Sequence, residues 1–322
     1  MTDTFGQRMA LGRFVVLGRV GMDLYADPPG TKIEEAARFT SAIGGSAGNI
    51  AVALARQGAG VALLTCVSED AVGRFCLAEL ARYGVETGHI RRVAGERRTS
   101  LAVTETVASG CQTVLYRNGA ADFALTEADV GRVDFAGVAA LVVTGTALAA
   151  EPSRSAATRA MALARGAGAL VVLDVDYRAY SWASPLEAAQ VCRAAAEASD
   201  MVVGNDVEFG LLAGGADIGE GYARSLPQQG ATIAIYKRGA DGCTTFTAGA
   251  RFDTPIFPVT ALKPTGAGDG FMGGLLAGMM QGHALEAAVR RGAATAALIV
   301  AGIGCAPASP DRATLDRFIA SF

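Results

Sequence analysis

The sequence predicts an α/β protein: a mostly parallel sheet with helices packed on both of its faces. Three observations carry this. From residue 141 onward, short apolar runs (141–144, 170–174, 201–204, 232–237) alternate with helix-length segments (153–166, 185–198, 219–229), the rhythm of βαβ units. Polar residues recur at the ends of those runs: Asp174, Asp176 and Arg178, then Asn205 and Glu208, then Lys237 and Gly239. In open sheets of this kind ligands lie beyond the carboxyl ends of the strands. Finally, 322 residues with a hydrophobic fraction of 51% and a charged fraction of 18% are enough for a large core, and 41 glycines suit tight turns and close helix packing.

The elements follow in order. Residues 14–18 form a short β-branched run ending in glycine, a buried first strand that places Asp23 just past its carboxyl end. Residues 38–43 read as a strand, and Gly44-Gly45-Ser46-Ala47-Gly48-Asn49 leads into a helix from about 50 to 57. Three glycines before a helix suggest a backbone that approaches a ligand closely. A strand at 61–67 and a helix at 75–83 come next. Residues 99–107 and 113–117 read as a hairpin joined by Ala108-Ser109-Gly110-Cys111, with Arg117 following; together with 20–43 it could add a small sheet. A surface ion pair is the plain expectation for Arg117, and an anion contact in a ligand site the sharper one. The chain ends with a short helix within 311–322.

Composition narrows the function. The formal net charge is −3 with no long basic run, which leaves no footprint for nucleic acid. Six cysteines are far apart with no CxxC pair, and only two histidines accompany them, so zinc and iron–sulfur sites are not expected. The first residues are too poor in apolar side chains for a signal peptide, and the run 293–303 is too short for a membrane span. A cytoplasmic protein with buried thiols is the expectation.

The stretch Lys263-Pro264-Thr265-Gly266-Ala267-Gly268-Asp269 holds the clearest chemistry. It opens an apolar segment, 270–280, that reads as a buried helix. Small residues there allow backbone N–H groups to turn inward, and a helix N-terminus favours a phosphate or a developing oxyanion. Asp269 beside such a hole would equip the site for phosphoryl transfer to an alcohol. By itself the same stretch reads equally as a glycine-rich turn with Asp269 as a helix cap.

Taken together, residues 44–51 and 263–269, followed by Gly273 and Gly274, resemble the two conserved patterns of the ribokinase-like sugar kinases, also called the phosphofructokinase B family. The resemblance covers roughly residues 13 to 320. It implies a single ribokinase-like domain over 1–322: a three-layer α/β/α sandwich with a small β-sheet lid from approximately 20–43 and 97–119. It further implies Asp269 as general base, with Gly266, Ala267 and Gly268 framing the anion hole. Asp23, Gly44, Gly45 and Asn49 would bind sugar hydroxyls. Asn205, Lys237, Gly239 and Gly242 would bind ATP, and Glu208 would place Mg²⁺ through water. A homodimer through the lid is implied as well. Lys263 stands where relatives commonly carry Asp or Asn near a monovalent cation, which puts K⁺ in doubt. Ser68 replaces a customary glycine.

Within the family, residues 18–25, 173–178 with Trp182, and 304–308 are most similar to a kinase of inositol breakdown whose substrate is 5-dehydro-2-deoxy-D-gluconate. A sugar acid needs cations for its carboxylate, and Arg117 and Arg178 would supply them. A 2-keto-3-deoxygluconate kinase is the alternative, and a non-catalytic sugar or nucleotide sensor a distant one. A Rossmann dehydrogenase fails because Gly18-Arg19-Val20-Gly21 lacks the GxGxxG spacing.

Overall fold

A strand covered on both faces has to be apolar along its whole length. Ala140–Thr144 and Leu170–Asp174 are buried at every position. The computed structural model describes residues 2–107 and 110–322, so Ala108 and Ser109 of the expected hairpin turn lie outside the described residues. In chain order the strands are β1 (Arg13–Leu17), β2 (Gly21–Asp27), β3 (Arg38–Gly44), β4 (Gly60–Ser68), β5 (Ile90–Val93), β6 (Ser100–Thr104) and β7 (Thr113–Tyr116). Then come β8 (Ala140–Thr144), β9 (Leu170–Asp174), β10 (Met201–Asn205), β11 (Ile233–Lys237), β12 (Cys243–Thr247) and β13 (Arg251–Thr254).

One sheet has the order β13-β12-β11-β10-β9-β8-β1-β4-β5, and a second has the order β3-β2-β6-β7. The large sheet is parallel except where β12 pairs with β11 and β13. Strand residues alternate between two cores. Leu141 and Val143 of β8 pack with Ala156 and Ala160 of the helix Ser153–Gly166 on one face. Val142 packs on the other, in the cluster that holds Ile50 and Leu54 of the helix Ser46–Arg56 and Met272 and Leu275 of the helix Ala267–Met280. Those two helices touch where Gly273 meets Ala53, and any Cβ at 273 would overlap the alanine methyl. The chain runs outward from β1 in both directions, with β4 and β5 on one side and β8 to β11 on the other. The crevice beside β1 is therefore a topological switch point.

The second sheet has two distinct faces because side chains alternate along each strand. Asp23, Ala102 and Leu115 are in register on one face, Met22, Leu101 and Tyr116 on the other.

The expected layered α/β architecture is observed, with local corrections. The first glycine-rich turn is shorter than expected: the helix begins at Ser46, so Asn49 sits in its first turn. The small residues 46–48 fit a helix as easily as a loop, and Gly45 at φ 88° makes the turn. Asp70 caps the next helix at Ala71, accepting from the Gly73 amide at 3.0 Å, four residues before the expected start. Asp23 lies inside β2, in the small sheet expected from 20–43, rather than in a turn just past β1. Antiparallel β12 and β13 and the helices Asp206–Ala213 and Leu285–Val300 lie outside the expected elements. No helix among the described residues is long and apolar enough to cross a membrane.

Candidate active site

A cleft of about 1070 Å³ runs along the carboxyl edge of the large sheet and is bounded on one side by the small sheet. It is lined by the ends of β9, β10 and β11 through Asp174, Asn205 and Lys237, and by Ala102, Thr104, Thr113 and Leu115 of β6 and β7. The helices Ser46–Arg56 and Ala267–Met280 converge on it with their N-termini. Asn49 in the first turn of one donates from Nδ2 to Oδ2 of Asp269 in the first turn of the other, at 2.7 Å, across 220 residues of sequence.

The turn before Asp269 is built for close approach. Gly266 adopts φ 84°, and a side chain there would strike the sulfur of buried Cys305. The helix then starts at Ala267 with no side-chain cap on its amides. Burial drives the Asp269 carboxyl up to about 6, and the negative charge of Asp176 adds to this; the Asn49 hydrogen bond and the charges of Arg178 and Arg19 pull the other way. A carboxylate tuned toward neutrality near pH 6 is suited to taking a proton from an alcohol. Lys237 closes this end. A Cβ on Gly268 would lie 3.2 Å from its Nζ. Burial works against the Lys237 charge, but Asp174, Glu208, Asp269 and Asp176 outweigh it and hold its titration above the ordinary lysine value.

Asp23 is 4% exposed, and its Oδ2 accepts from Tyr25 OH at 3.0 Å while Oδ1 has no partner among the described residues. Burial raises its pKa against the pull of Arg19, the Tyr25 bond and Lys263. Gly45 lines the cleft, but Gly44 does not. Gly44 sits behind Asp23, where a side chain would overlap the carboxylate. Arg117 lines the cleft and is buried, so its ion pair is internal rather than on the surface. Its Nη2 reaches Asp122 and the Thr146 carbonyl, its Nη1 donates to Ser181 Oγ, and the guanidinium stacks over Phe123. Arg178 pairs with Asp176 at 2.9 Å. Trp182 lies in the core under Arg154, outside the cleft.

At the other end, Asn205 and Glu208 form a capping box on the helix Asp206–Ala213: Asn205 Oδ1 accepts from the Glu208 amide at 2.9 Å, and Glu208 Oε2 accepts from the Asn205 amide at 2.7 Å. Glu208 Oε1 accepts from the Tyr177 amide at 3.2 Å. Gly239 and Gly242, both at positive φ, line the cleft beside an apolar wall of Ile256, Phe257, Val259, Ala297 and Val300. Lys263 is 1% exposed, and its Nζ donates to the Thr265 carbonyl at 2.7 Å, with the Ile299 carbonyl at 3.5 Å and Cys305 Sγ at 3.6 Å.

Every expected site residue except Gly44 therefore lines this one cleft. The expected set omits Arg19, Thr146, Tyr180 and the apolar wall, and it names Asp174 and Asp176 at the strand end without giving either a role. The two aspartates stand at a strand end, a visible signal. Asp176 also holds a positive φ of 37°, which is uncommon outside glycine. The wall carries no polar signal.

The pfkB family carbohydrate kinase profile matches residues 12–312. The chain is 38% identical over 310 residues to a 5-dehydro-2-deoxygluconokinase of Photobacterium profundum, covering 95% of this chain and 94% of that protein. Among solved structures it superposes on a PfkB protein from Polaromonas sp. JS666 with a TM-score of 0.81 and 28% identity, covering 95% of this chain and 99% of that one. It also superposes on a fructokinase from Vibrio cholerae in its fructose, ADP and calcium bound form, with a TM-score of 0.83 and 26% identity over 96% and 99% of the two chains. The chain belongs to the PfkB family and is an ATP-dependent carbohydrate kinase.

Proposed function

We propose that the chain phosphorylates the terminal C6 hydroxyl of a sugar acid, 5-dehydro-2-deoxy-D-gluconate, in inositol breakdown. The carrying observation is the cationic lining beside Asp23 and Asp269, where Arg19, Arg117 and Arg178 face one cavity. Arg117 and Arg178 are paired within the protein, and a neutral sugar gives no use for the third guanidinium, Arg19. The relative named for this substrate spans nearly the whole chain. Asp269 takes the proton of the attacking hydroxyl, with Asn49 fixing its carboxylate. The amides of Ala267, Gly268 and Asp269, framed by Gly266, stabilise charge on the transferred phosphoryl group, and Lys237 adds a cation beside them. Asp23 and the Gly45 backbone orient sugar hydroxyls, and Gly44 leaves room for the Asp23 carboxylate. Arg117 and Arg178 act as oriented charges, since both are already paired. ATP lies along Asn205, Gly239, Gly242 and the apolar wall.

Asp174, Asp176 and Glu208 are hard oxygen donors of the kind magnesium prefers. Both Glu208 oxygens already accept from amides, so this carboxylate would reach the ion through water. Bound magnesium would neutralise phosphate charge. The Lys263 ammonium already sits against the Thr265 carbonyl and within 3.5 Å of that of Ile299, so no potassium is needed. The whole chain works as one domain, with the small sheet as a lid. Its outer face, with Val114 and Tyr116 at 42% and 62% exposure, pairs with a second copy. Six free thiols suit a cytoplasmic setting.

The test is ATP turnover on 5-dehydro-2-deoxygluconate, 2-keto-3-deoxygluconate, fructose and ribose, with and without K⁺. The expected result is a preference for the first acid by a decade or more in kcat/KM, about 1.4 kcal/mol, with no potassium effect. Preference for a neutral sugar overturns the proposal.

A further inference from the structure

The three guanidinia of the cleft are not equivalent. Arg117 is spent on Asp122, Thr146 and Ser181, and Arg178 on Asp176. The side chain of Arg19, in the turn between β1 and β2, makes one hydrogen bond among the described residues: its Nη1 donates to Ser100 Oγ at 3.0 Å. A guanidinium carries five N–H donors in a planar fork, so most of this one is uncommitted. The site around it is built to hold the fork open. Ser100 is 1% exposed, and its hydroxyl can donate to the Val20 carbonyl at 3.4 Å while accepting from Arg19. Gly21 gives the fork room, since a Cβ there would lie 3.1 Å from Arg19 Nη1.

Position gives the fork its meaning. Arg19 lines the cleft together with Asp23, Asn49 and Asp269, and its charge lowers the pKa of both aspartates. Two carboxylates lining a cavity repel an anionic substrate unless a cation is free to meet it. We infer that Arg19 is the specificity-determining residue of the sugar end: its uncommitted N–H groups bind the carboxylate of the substrate, while Ser100 fixes the plane of the fork. This rests on the sugar-acid reading and assigns its recognition to one side chain. With the C6 hydroxyl at Asp269, a bidentate pair between Arg19 and the acid end would set both affinity and direction.

The test compares 5-dehydro-2-deoxygluconate with its uncharged C1 amide in wild type, Arg19→Gln and Arg19→Lys. Glutamine can still donate to Ser100 Oγ but carries no charge. The wild type is expected to prefer the acid, and R19Q to lose roughly 10- to 100-fold of that preference in kcat/KM, the scale of a charged hydrogen bond. R19K is expected to keep part of it. The KM for ATP and the Tm report whether R19Q is folded. A wild-type preference that R19Q retains overturns the inference and leaves the sugar-acid reading standing. A wild type that turns over acid and amide equally, or neither, overturns both.

Discussion

The two ends of the cleft are built on different plans. At the end proposed for the sugar, polar side chains are each fixed by a named partner: Asp23 by Tyr25, Asp269 by Asn49, Arg117 by Asp122 and Arg178 by Asp176. At the end proposed for ATP, the walls are backbone at Gly239 and Gly242 and apolar surface from residues 256–259 and the helix Leu285–Val300. Chemistry needs a single group at a single place, whereas holding a flat heterocycle needs only area. Loss should therefore concentrate in single residues at the first end and spread thinly at the second.

The largest effect expected is that of Asp269→Asn, which lowers turnover by about 10²–10⁴-fold with little change in sugar affinity. Near-normal turnover would break the comparison at its centre. In the wild type the acid limb of kcat/KM should fall as pH drops through about 6, where Asp269 titrates, and D269N should lack that limb. Stability moves the opposite way. The folded pKa lies above the ordinary 3.8, so the buried charge costs stability fully above about 6 and not at all below about 4. A shift of about two pKa units corresponds to about 3 kcal/mol as an upper bound, so D269N should raise Tm at pH 8 and not at pH 4.

Gly266→Ala is next. At φ 84°, with Cys305 in the way, alanine has to displace the turn, costing about 1–3 kcal/mol and at least tenfold in turnover. Gly221→Ala, in a helix with open space around it, should instead be neutral or stabilising by about 0.5–1 kcal/mol. Lys263→Met leaves the Thr265 carbonyl without its ammonium, and the expected cost is about 1–3 kcal/mol in urea unfolding, with any loss of turnover partly restored by ammonium ions. Within the cleft, the smallest effect falls at the apolar wall. Ile256→Ala, at 45% exposure, should raise the KM for ATP by about tenfold at most and leave kcat alone. A hundredfold change would show that the two ends do not differ in plan.

Much of the fold was legible because its signals are local. The helices Ser153–Gly166 and Gly219–Gln229 and the strand Leu170–Asp174 begin and end where the apolar rhythm says they do. The Asn-x-x-Glu spacing at 205–208 is at once a cap and part of the cleft lining. The helix Leu285–Val300 was harder to read, because alanine-rich segments carry weak periodicity and its apolar face is shared between a core and the cleft.

By itself the sequence determined the strand-and-helix alternation, the glycine turn before Asp269 and the polar residues at strand ends. Each is a matter of neighbours within a turn or two, where backbone sterics and capping decide. Only the tertiary structure decided that Asn49 meets Asp269, that Lys263 is held by backbone carbonyls, and that Arg19 alone among three arginines keeps its fork open. Those facts depend on which strand edges come together, and sheet order is set by the packing of the whole core rather than by any stretch of residues.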